Sequence, residues 1–289
     1  MASFRAMAVC VLALLSMSSL ALAQVNPAAL SATAGPALNT PRSGHWMITD
    51  PSGVIAVVGG TTSDGAPTKT AEVLANGATS FVQHALHTGA MNSACARLAD
   101  GRYAIFGGTD TASMAAALKT ADIFDPTTRT FTQTSNDMLH ARANATAATL
   151  ADGRVLIAGS STSPDSAIHL EVFDPVTQTF TDGGTVQAMR SVPVILPTAD
   201  GRAVILGGFA PQFGPVPEMV EIWDSATNTT SIVANSLFAG ETGWVTALSP
   251  SLGWGSQPSA FSKLPNGNYL LLATKNVGIF TYNTLFTFN

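Results

Sequence analysis

A block of eight residues recurs along the chain, and this repeat limits what the chain can fold into. Each copy begins with a turn glycine, continues as a short apolar run and ends at or near a second glycine. The clear copies are residues 53–60, 101–108, 153–160 and 201–208, and a degenerate fifth copy is residues 267–273. The intervals between the first glycines are 48, 52, 48 and 66 residues. Such a run predicts a short strand that is buried on both faces and bounded by turns.

A second block of residues recurs once after each of the four clear copies of the first block. It is a strand with an acidic residue, ended by a turn, and in three copies an aromatic residue follows at a fixed distance. The acids are Glu72, Asp122, Glu171 and Glu221, and the aromatic residues are Phe81, Phe131 and Phe180. A unit of about 50 residues with four short strands cannot bury its faces alone and stacks on its neighbours. We therefore expect an all-β propeller of five four-stranded blades, with innermost strands near residues 93–98, 143–150 and 192–197.

The glycine doublet that closes the second strand, together with the aromatic residues of the second block, resembles the kelch repeat of the galactose oxidase-like propellers. The resemblance covers residues 41–289 and implies a kelch-type β-propeller. Some of these propellers are copper radical oxidases, which need a Cys–Tyr crosslink, a second tyrosine and two histidines. Tyr103 and Tyr269 fall inside repeat strands here, so the oxidase pattern is not matched and we expect no cofactor.

The amino-terminal segment has the pattern of a secretory signal peptide. Arg5 precedes an apolar run, and Ala21 and Ala23 are small residues at the cleavage positions. We expect a signal peptide over residues 1–23, a lead-in over 24–40, the propeller over 41–289, and secretion to an extracellular or periplasmic location. No later run is long and apolar enough to span a membrane. Cys10 would leave with the signal, so we expect no disulfide and a buried, unreactive Cys95.

The charge balance restricts the partners. The chain has 13 Lys and Arg against 18 Asp and Glu, a net charge of −5. This charge repels phosphate backbones, so nucleic acid is not an expected partner. We expect a monomer that binds a glycan or a protein.

Three arginines each lie eleven positions before the first glycine of a repeat copy, whereas Ala90 occupies this position in the second blade. They are Arg42, Arg142 and Arg190. Two interpretations remain open: the arginines line the channel entrance and bind an anionic ligand, or they pair with the acids of the blades and with loop carbonyls. The acids come once per blade and offer no adjacent carboxylate pair, so glycosidase chemistry is unsupported.

The histidines offer little support for a metal site. His84, His87 and His140 fall in the connections that leave the first two blades. Three imidazoles can hold zinc or copper, but no cysteine or carboxylate stands at a supporting offset. We therefore expect no metal.

The longest interval between repeats contains the most distinctive residues. Glu241, Trp244 and Trp254 lie in a glycine-rich connection there, and the proline-stiffened loop of residues 209–217 carries Phe209 and Phe213. Two tryptophans suit a carbohydrate-stacking platform on which Glu241 accepts hydrogen bonds. Alternatively, the segment folds back as a plug over the degenerate fifth blade.

The sequence thus favours a secreted recognition propeller that binds a carbohydrate or a protein. The alternatives are an enzyme of extracellular glycan metabolism, such as an oxidoreductase, hydrolase, lyase or epimerase, and a purely structural interaction module. Propellers host all three functions, so the fold does not decide between them.

Overall fold

The structure is a computed structural model. It describes residues 34–89, 91–111, 116–208 and 220–234, and the strand backbone of residues 244–246, 261–263, 269–277 and 280–288. Ala37–Asn289 form one unit.

Four sheets share one arrangement, in which four antiparallel strands pair in the order of the chain. The first is β1 (Trp46–Thr49), β2 (Ile55–Val58), β3 (Thr70–Leu74) and β4 (Val82–Ala85). The second is β5 (Ala94–Arg97), β6 (Tyr103–Phe106), β7 (Ala121–Asp125) and β8 (Thr130–Gln133). The third is β9 (Thr146–Thr149), β10 (Val155–Ala158), β11 (His169–Asp174) and β12 (Thr179–Thr185), and the fourth is β13 (Val194–Pro197), β14 (Arg202–Leu206), β15 (Val220–Asp224) and β16 (Thr229–Ala234).

The sheets are arranged like the blades of a propeller. The first strand β9 contacts both β5 and β13, and fourth strands contact each other in the pairs β4 with β8 and β12 with β16. Backbone hydrogen bonds join the blades near the first strands, since Asn144 N donates to Asn92 O and Val192 N to Asn144 O, both at 2.8 Å. The predicted all-β propeller class and the three predicted innermost strands are confirmed.

The second strand of a blade is apolar, apart from Arg202 at the start of β14, because both of its faces are buried. In β6, Tyr103 and Ile105 pack into the core between the first and second blades. Ala104 and Phe106 alternate with them and pack into the core between the second and third blades. Burial on both faces therefore explains the apolar run of each repeat.

The glycine doublet has a steric cause that Gly108 makes clear. Its φ is +89°, and a Cβ added there would lie 2.5 Å from the carbonyl oxygen of Met91. The backbone at Met91, where the blade begins, thus lies too close to Gly108 to leave room for a side chain there. The backbone of Gly108 also adopts a conformation that favours glycine.

The fifth sheet departs from the arrangement of the other four. It contains β17 (Trp244–Thr246), β18 (Phe261–Lys263), β19 (Tyr269–Val277) and β20 (Phe280–Phe288). Both β17 and β18 pair with β19, whereas β20 pairs with its other edge. No glycine doublet follows residue 272, so β19 continues for nine residues and offers an edge long enough for two short strands. The sheet has four strands, but they do not pair in the order of the chain as in the other four sheets, and the five-blade count stays a prediction.

One short helix, α1 (Pro164–Ile168), connects β10 to β11. Ser163 caps it by accepting a hydrogen bond from the Ser166 N–H. Within the described part of the chain, no helix is long and apolar enough to cross a membrane.

Val192 holds a left-handed backbone conformation in which its counterparts have asparagine. Its φ is +48°, and the equivalent positions of the second and third blades are Asn92 and Asn144, with φ of +59° and +57°. A β-branched residue is disfavoured in this left-handed region, whereas asparagine tolerates it. We expect Val192→Asn to stabilise the protein by about 1 kcal/mol and to raise Tm by roughly 2–4 °C in thermal unfolding followed by circular dichroism. The reverse change, Asn144→Val, should lower Tm, and a lower Tm for Val192→Asn would contradict the strain argument.

Candidate functional site

Arg142 is buried at one end of the third blade. At this end β10 connects to β11 and the chain arrives from the second blade, and we call the equivalent end of every blade the connection end. The Nε of Arg142 donates to Glu171 at 2.8 Å, Nη1 to the carbonyls of Gly159 and Ser166 at 3.1 and 2.6 Å, and Nη2 to that of His169 at 2.8 Å. The side chains of Arg142 and Glu171 are 1% and 0% exposed. Burial lowers the pKa of Arg142, and the Glu171 carboxylate acts in the opposite direction.

The same pair recurs in the first and fourth blades. Arg42 lies 2.6 Å from Glu72, and Arg190 lies 2.8 Å from Glu221, with all four side chains buried. Each of the three guanidinium groups also donates to the carbonyl of the glycine that ends the second strand. The arrangement matches the pairing interpretation, because the guanidinium groups of Arg42, Arg142 and Arg190 are enclosed and present no face to an anionic ligand.

The paired acids also accept hydrogen bonds from the backbone of the segment that leads into the blade. The Glu171 carboxylate accepts hydrogen bonds from the backbone N–H groups of Leu139 and His140 at 2.7 and 3.2 Å. Glu72 does the same for Asn39 and Thr40 at 2.6 and 2.9 Å. One buried carboxylate thus satisfies a guanidinium and two backbone donors, so the acids are structural parts of the repeat.

The second blade replaces this pair with a different one. Its acid is Asp122, which accepts hydrogen bonds from the backbone N–H groups of His87 and Thr88 at 2.8 and 2.7 Å. The ring Nδ1 of His87 lies 2.8 Å from the same carboxylate. His87 therefore takes the place of the missing arginine, and its side chain remains 48% exposed. Ala90 itself lies outside the described residues.

A cluster of possible metal ligands lies at the connection end of the third blade. His140 lies in the connection from the second blade to the third, Asp165 belongs to α1, and His169 is the first residue of β11. One ligand atom from each residue lies within 4.8 Å of the other two. His140 Nε2 is 3.4 Å and His169 Nδ1 is 3.3 Å from the Asp165 carboxylate. The two imidazole rings are stacked, with centroids 4.8 Å apart and planes inclined by 16°.

Sequence reasoning grouped the histidines differently. The ring of His84 lies 5.9 Å from that of Phe131, His87 pairs with Asp122, and only His140 belongs to the cluster. Asp165 and His169 were missed, although their spacing of four residues in a connection that departs from the repeat is a usable signal. His140 reaches them only through the packing of the blades.

Of the residues predicted to form the carbohydrate platform, the structure describes only the backbone of Trp244. Trp244 begins β17, where it pairs with Lys275 of β19, so its backbone belongs to a sheet and not to a connection as expected. Glu241, Trp254, Phe209 and Phe213 lie outside the described residues, and so does the side chain of Trp244. The platform and plug interpretations stay predictions.

A shallow groove of about 380 Å³ lies at the opposite end of the first two blades. Its charged lining comes from turns, including Asp50, Asp100 and Arg102, and from the strand ends Arg97 and Asp125. Arg102 pairs with Asp100 at 2.7 Å, and Arg154 and Asp152 repeat the pair in the next blade at 2.7 Å. The groove is thus lined by the repeated turn, and we assign it no function.

Cys95 has no reactive surroundings. It is partly buried, less so than expected, and packs against the core between the first and second blades; the surrounding protein raises the pKa of its thiol to about 12 by desolvation. A thiol with so high a pKa is a poor nucleophile and metal ligand near neutral pH. The expectation of an unreactive cysteine agrees with this environment.

Comparisons with known proteins support the fold and add no function. No protein-family model matches the chain, and no curated protein matches it. Among solved structures, the chain is similar to that described as "Structure of YjhT", with a TM-score of 0.50 and 15% sequence identity. The match covers 73% of this chain and 70% of that one. At this identity the likeness concerns the fold alone, and it agrees with an all-β chain whose four-stranded antiparallel sheets are arranged like propeller blades.

Proposed function

We propose that this protein is a recognition module that binds a carbohydrate or a protein surface at the connection end of a kelch-like propeller, and that residues 1–23 direct its export. One observation carries the proposal. At the connection end, the residues that recur in the blades are enclosed in ion pairs, whereas residues that break the repeat remain accessible. Among them are His87 and Asp165, whose side chains are 48% and 66% exposed. A regular scaffold that presents varied exposed residues suits binding.

The ligand class that we favour is a glycan. Trp244, Trp254 and Glu241 come from the longest interval between repeats, and Phe209 and Phe213 follow the second strand of the fourth blade. Indoles stack on sugar rings, and a carboxylate accepts hydrogen bonds from hydroxyl groups.

The expected affinity is low. If each indole covers about half of its ~200 Å² with sugar, burial at ~25 cal/mol per Å² supplies roughly 5 kcal/mol before association costs are subtracted. Millimolar to high-micromolar affinity per site follows, which becomes useful when the ligand is polymeric and several sites engage together.

A glycan array followed by titration calorimetry tests this proposal. We expect the purified protein to bind a neutral or weakly charged polymeric glycan and the double variant Trp244→Ala/Trp254→Ala to lose that binding with Tm nearly unchanged. Val176→Ala changes an exposed apolar residue in a turn at the opposite end and should alter neither property. If the segment is a plug, each substitution instead costs roughly 3 kcal/mol or more of stability, and the platform is refuted.

The same array separates binding from catalysis. An enzyme of glycan metabolism would release or convert the bound sugar, which mass analysis of the glycan after incubation would detect. A glycan recovered unchanged supports the recognition module.

A further inference from the structure

The cluster formed by His140, Asp165 and His169 has the donor set of a transition-metal site. Two imidazoles and one carboxylate are nitrogen and oxygen donors that suit Zn²⁺, whereas Mg²⁺ and Ca²⁺ prefer oxygen donors alone. A tetrahedral site with bonds of about 2.0–2.1 Å has ligand atoms roughly 3.3 Å apart. His140 Nε2 lies 3.4 Å from an Asp165 carboxylate oxygen, close to that edge length, and one ligand atom of each of the three residues lies within 4.8 Å of the other two.

The segments that carry the three side chains are held together by Arg142. This buried arginine lies two residues after His140, and its guanidinium binds the carbonyls of His169 and Ser166, the latter being the neighbour of Asp165. Its Nε is fixed in turn by Glu171. The cluster is therefore built on a buried scaffold held by four hydrogen bonds of Arg142, as a preorganised binding site requires.

The ring nitrogens of the two histidines differ in their surroundings. His140 Nδ1 is buried, lies 3.4 Å from a Glu171 carboxylate oxygen and forms no hydrogen bond within the described part of the chain, and its Nε2 lies 3.4 Å from the Asp165 carboxylate. His169 Nδ1 lies 2.9 Å from the Asp165 carbonyl, so donation there leaves Nε2 of His169 as the second ring donor. A metal-bound histidine commonly uses its other nitrogen in this way, toward a carboxylate or a backbone carbonyl.

We propose that His140, Asp165 and His169 form a Zn²⁺ site at the connection end of the third blade. Three protein ligands leave a fourth position for water or for a donor atom of a bound ligand, which is the arrangement of an open zinc site and not of a closed structural one. The exposed Asp165 makes that position reachable from solvent. The proposal does not depend on the glycan platform.

Competition between the untagged protein and a chromophoric chelator for Zn²⁺ tests the site. We expect one Zn²⁺ per chain, and we expect His140→Ala and His169→Ala each to weaken binding by more than about 100-fold, beyond the loss typical of outer partners. Asp165→Asn removes the charged ligand at an exposed position and serves as a conservative third variant. Replacing Zn²⁺ with Co²⁺ should give the visible absorption of a tetrahedral site in the parent protein and not in these three ligand variants.

His87→Ala is the matched control, because His87 is also a partly exposed histidine beside a carboxylate at the connection end. It should bind Zn²⁺ like the parent, and so should Trp244→Ala/Trp254→Ala, which separates this proposal from glycan binding. Zn²⁺ should raise Tm of the parent and of these controls but not of the three ligand variants. The proposal is overturned if the parent binds no Zn²⁺ or if the ligand variants bind it as tightly as the parent does.

Discussion

Replacing Arg142 with methionine should lower the free energy of unfolding by about 3–5 kcal/mol, the cost of breaking a buried ion pair by removing one partner. The substitution leaves the buried Glu171 without its guanidinium and three carbonyl groups without their donor. Chemical denaturation followed by tryptophan fluorescence measures the loss.

Arg154→Met is the matched control, because Arg154 pairs with Asp152 at the surface and an exposed pair contributes only about 0–1 kcal/mol. The second blade suggests a compensated variant as well. Arg142→Ala combined with Glu171→Asp and Leu139→His copies the residues of that blade at the equivalent positions, and we expect it to be more stable than Arg142→Met. Equal losses for Arg142→Met and Arg154→Met would show that burial of the pair does not set its contribution.

The second large effect concerns Trp223, which is fully buried in β15. It packs in the core between the third and fourth blades, and its Nε1 donates to the carbonyl of Gly183 at 2.7 Å. Trp223→Ala should cost about 3–5 kcal/mol through lost burial and the cavity left behind.

Two further variants separate the contributions of the hydrogen bond and of burial to that loss of stability. Trp223→Phe keeps most of the volume but leaves the Gly183 carbonyl without its donor, so we expect a loss of about 1–3 kcal/mol. Ile232→Ala in the adjacent strand changes a partly exposed residue and should cost less than either variant. A Trp223→Ala protein that unfolds at the denaturant concentration of the parent would contradict the assigned packing.

The blades could be predicted because their signals are local. The turn glycine, the apolar run and the glycine doublet act within a few residues of one another, and the aromatic pair of a hairpin follows from the short turn between two strands. Phe124 lies opposite Phe131, and Phe173 opposite Phe180, with ring centroids 4.6 and 4.7 Å apart. The fifth copy of the repeat is degenerate, with no glycine directly after residues 270–272, and its sheet departs from the strand order of the other four.

The candidate site depended on contacts between residues distant in the chain. The sequence placed Arg142 and Glu171 in step with the repeat but left open whether the arginine faces a ligand or its own blade, because the two are 29 residues apart. His140 and His169 are equally distant, and no local pattern joins them.

By itself, the sequence determined the all-β propeller class and the innermost strands near residues 93–98, 143–150 and 192–197, since steric limits on glycine and the alternation of strand side chains act over short stretches of chain. Only the tertiary structure decided that Arg42, Arg142 and Arg190 are enclosed in ion pairs and that His140, Asp165 and His169 converge. The physical reason is that each contact joins separate connections, and their meeting depends on how strands and neighbouring blades pack rather than on spacing along the chain.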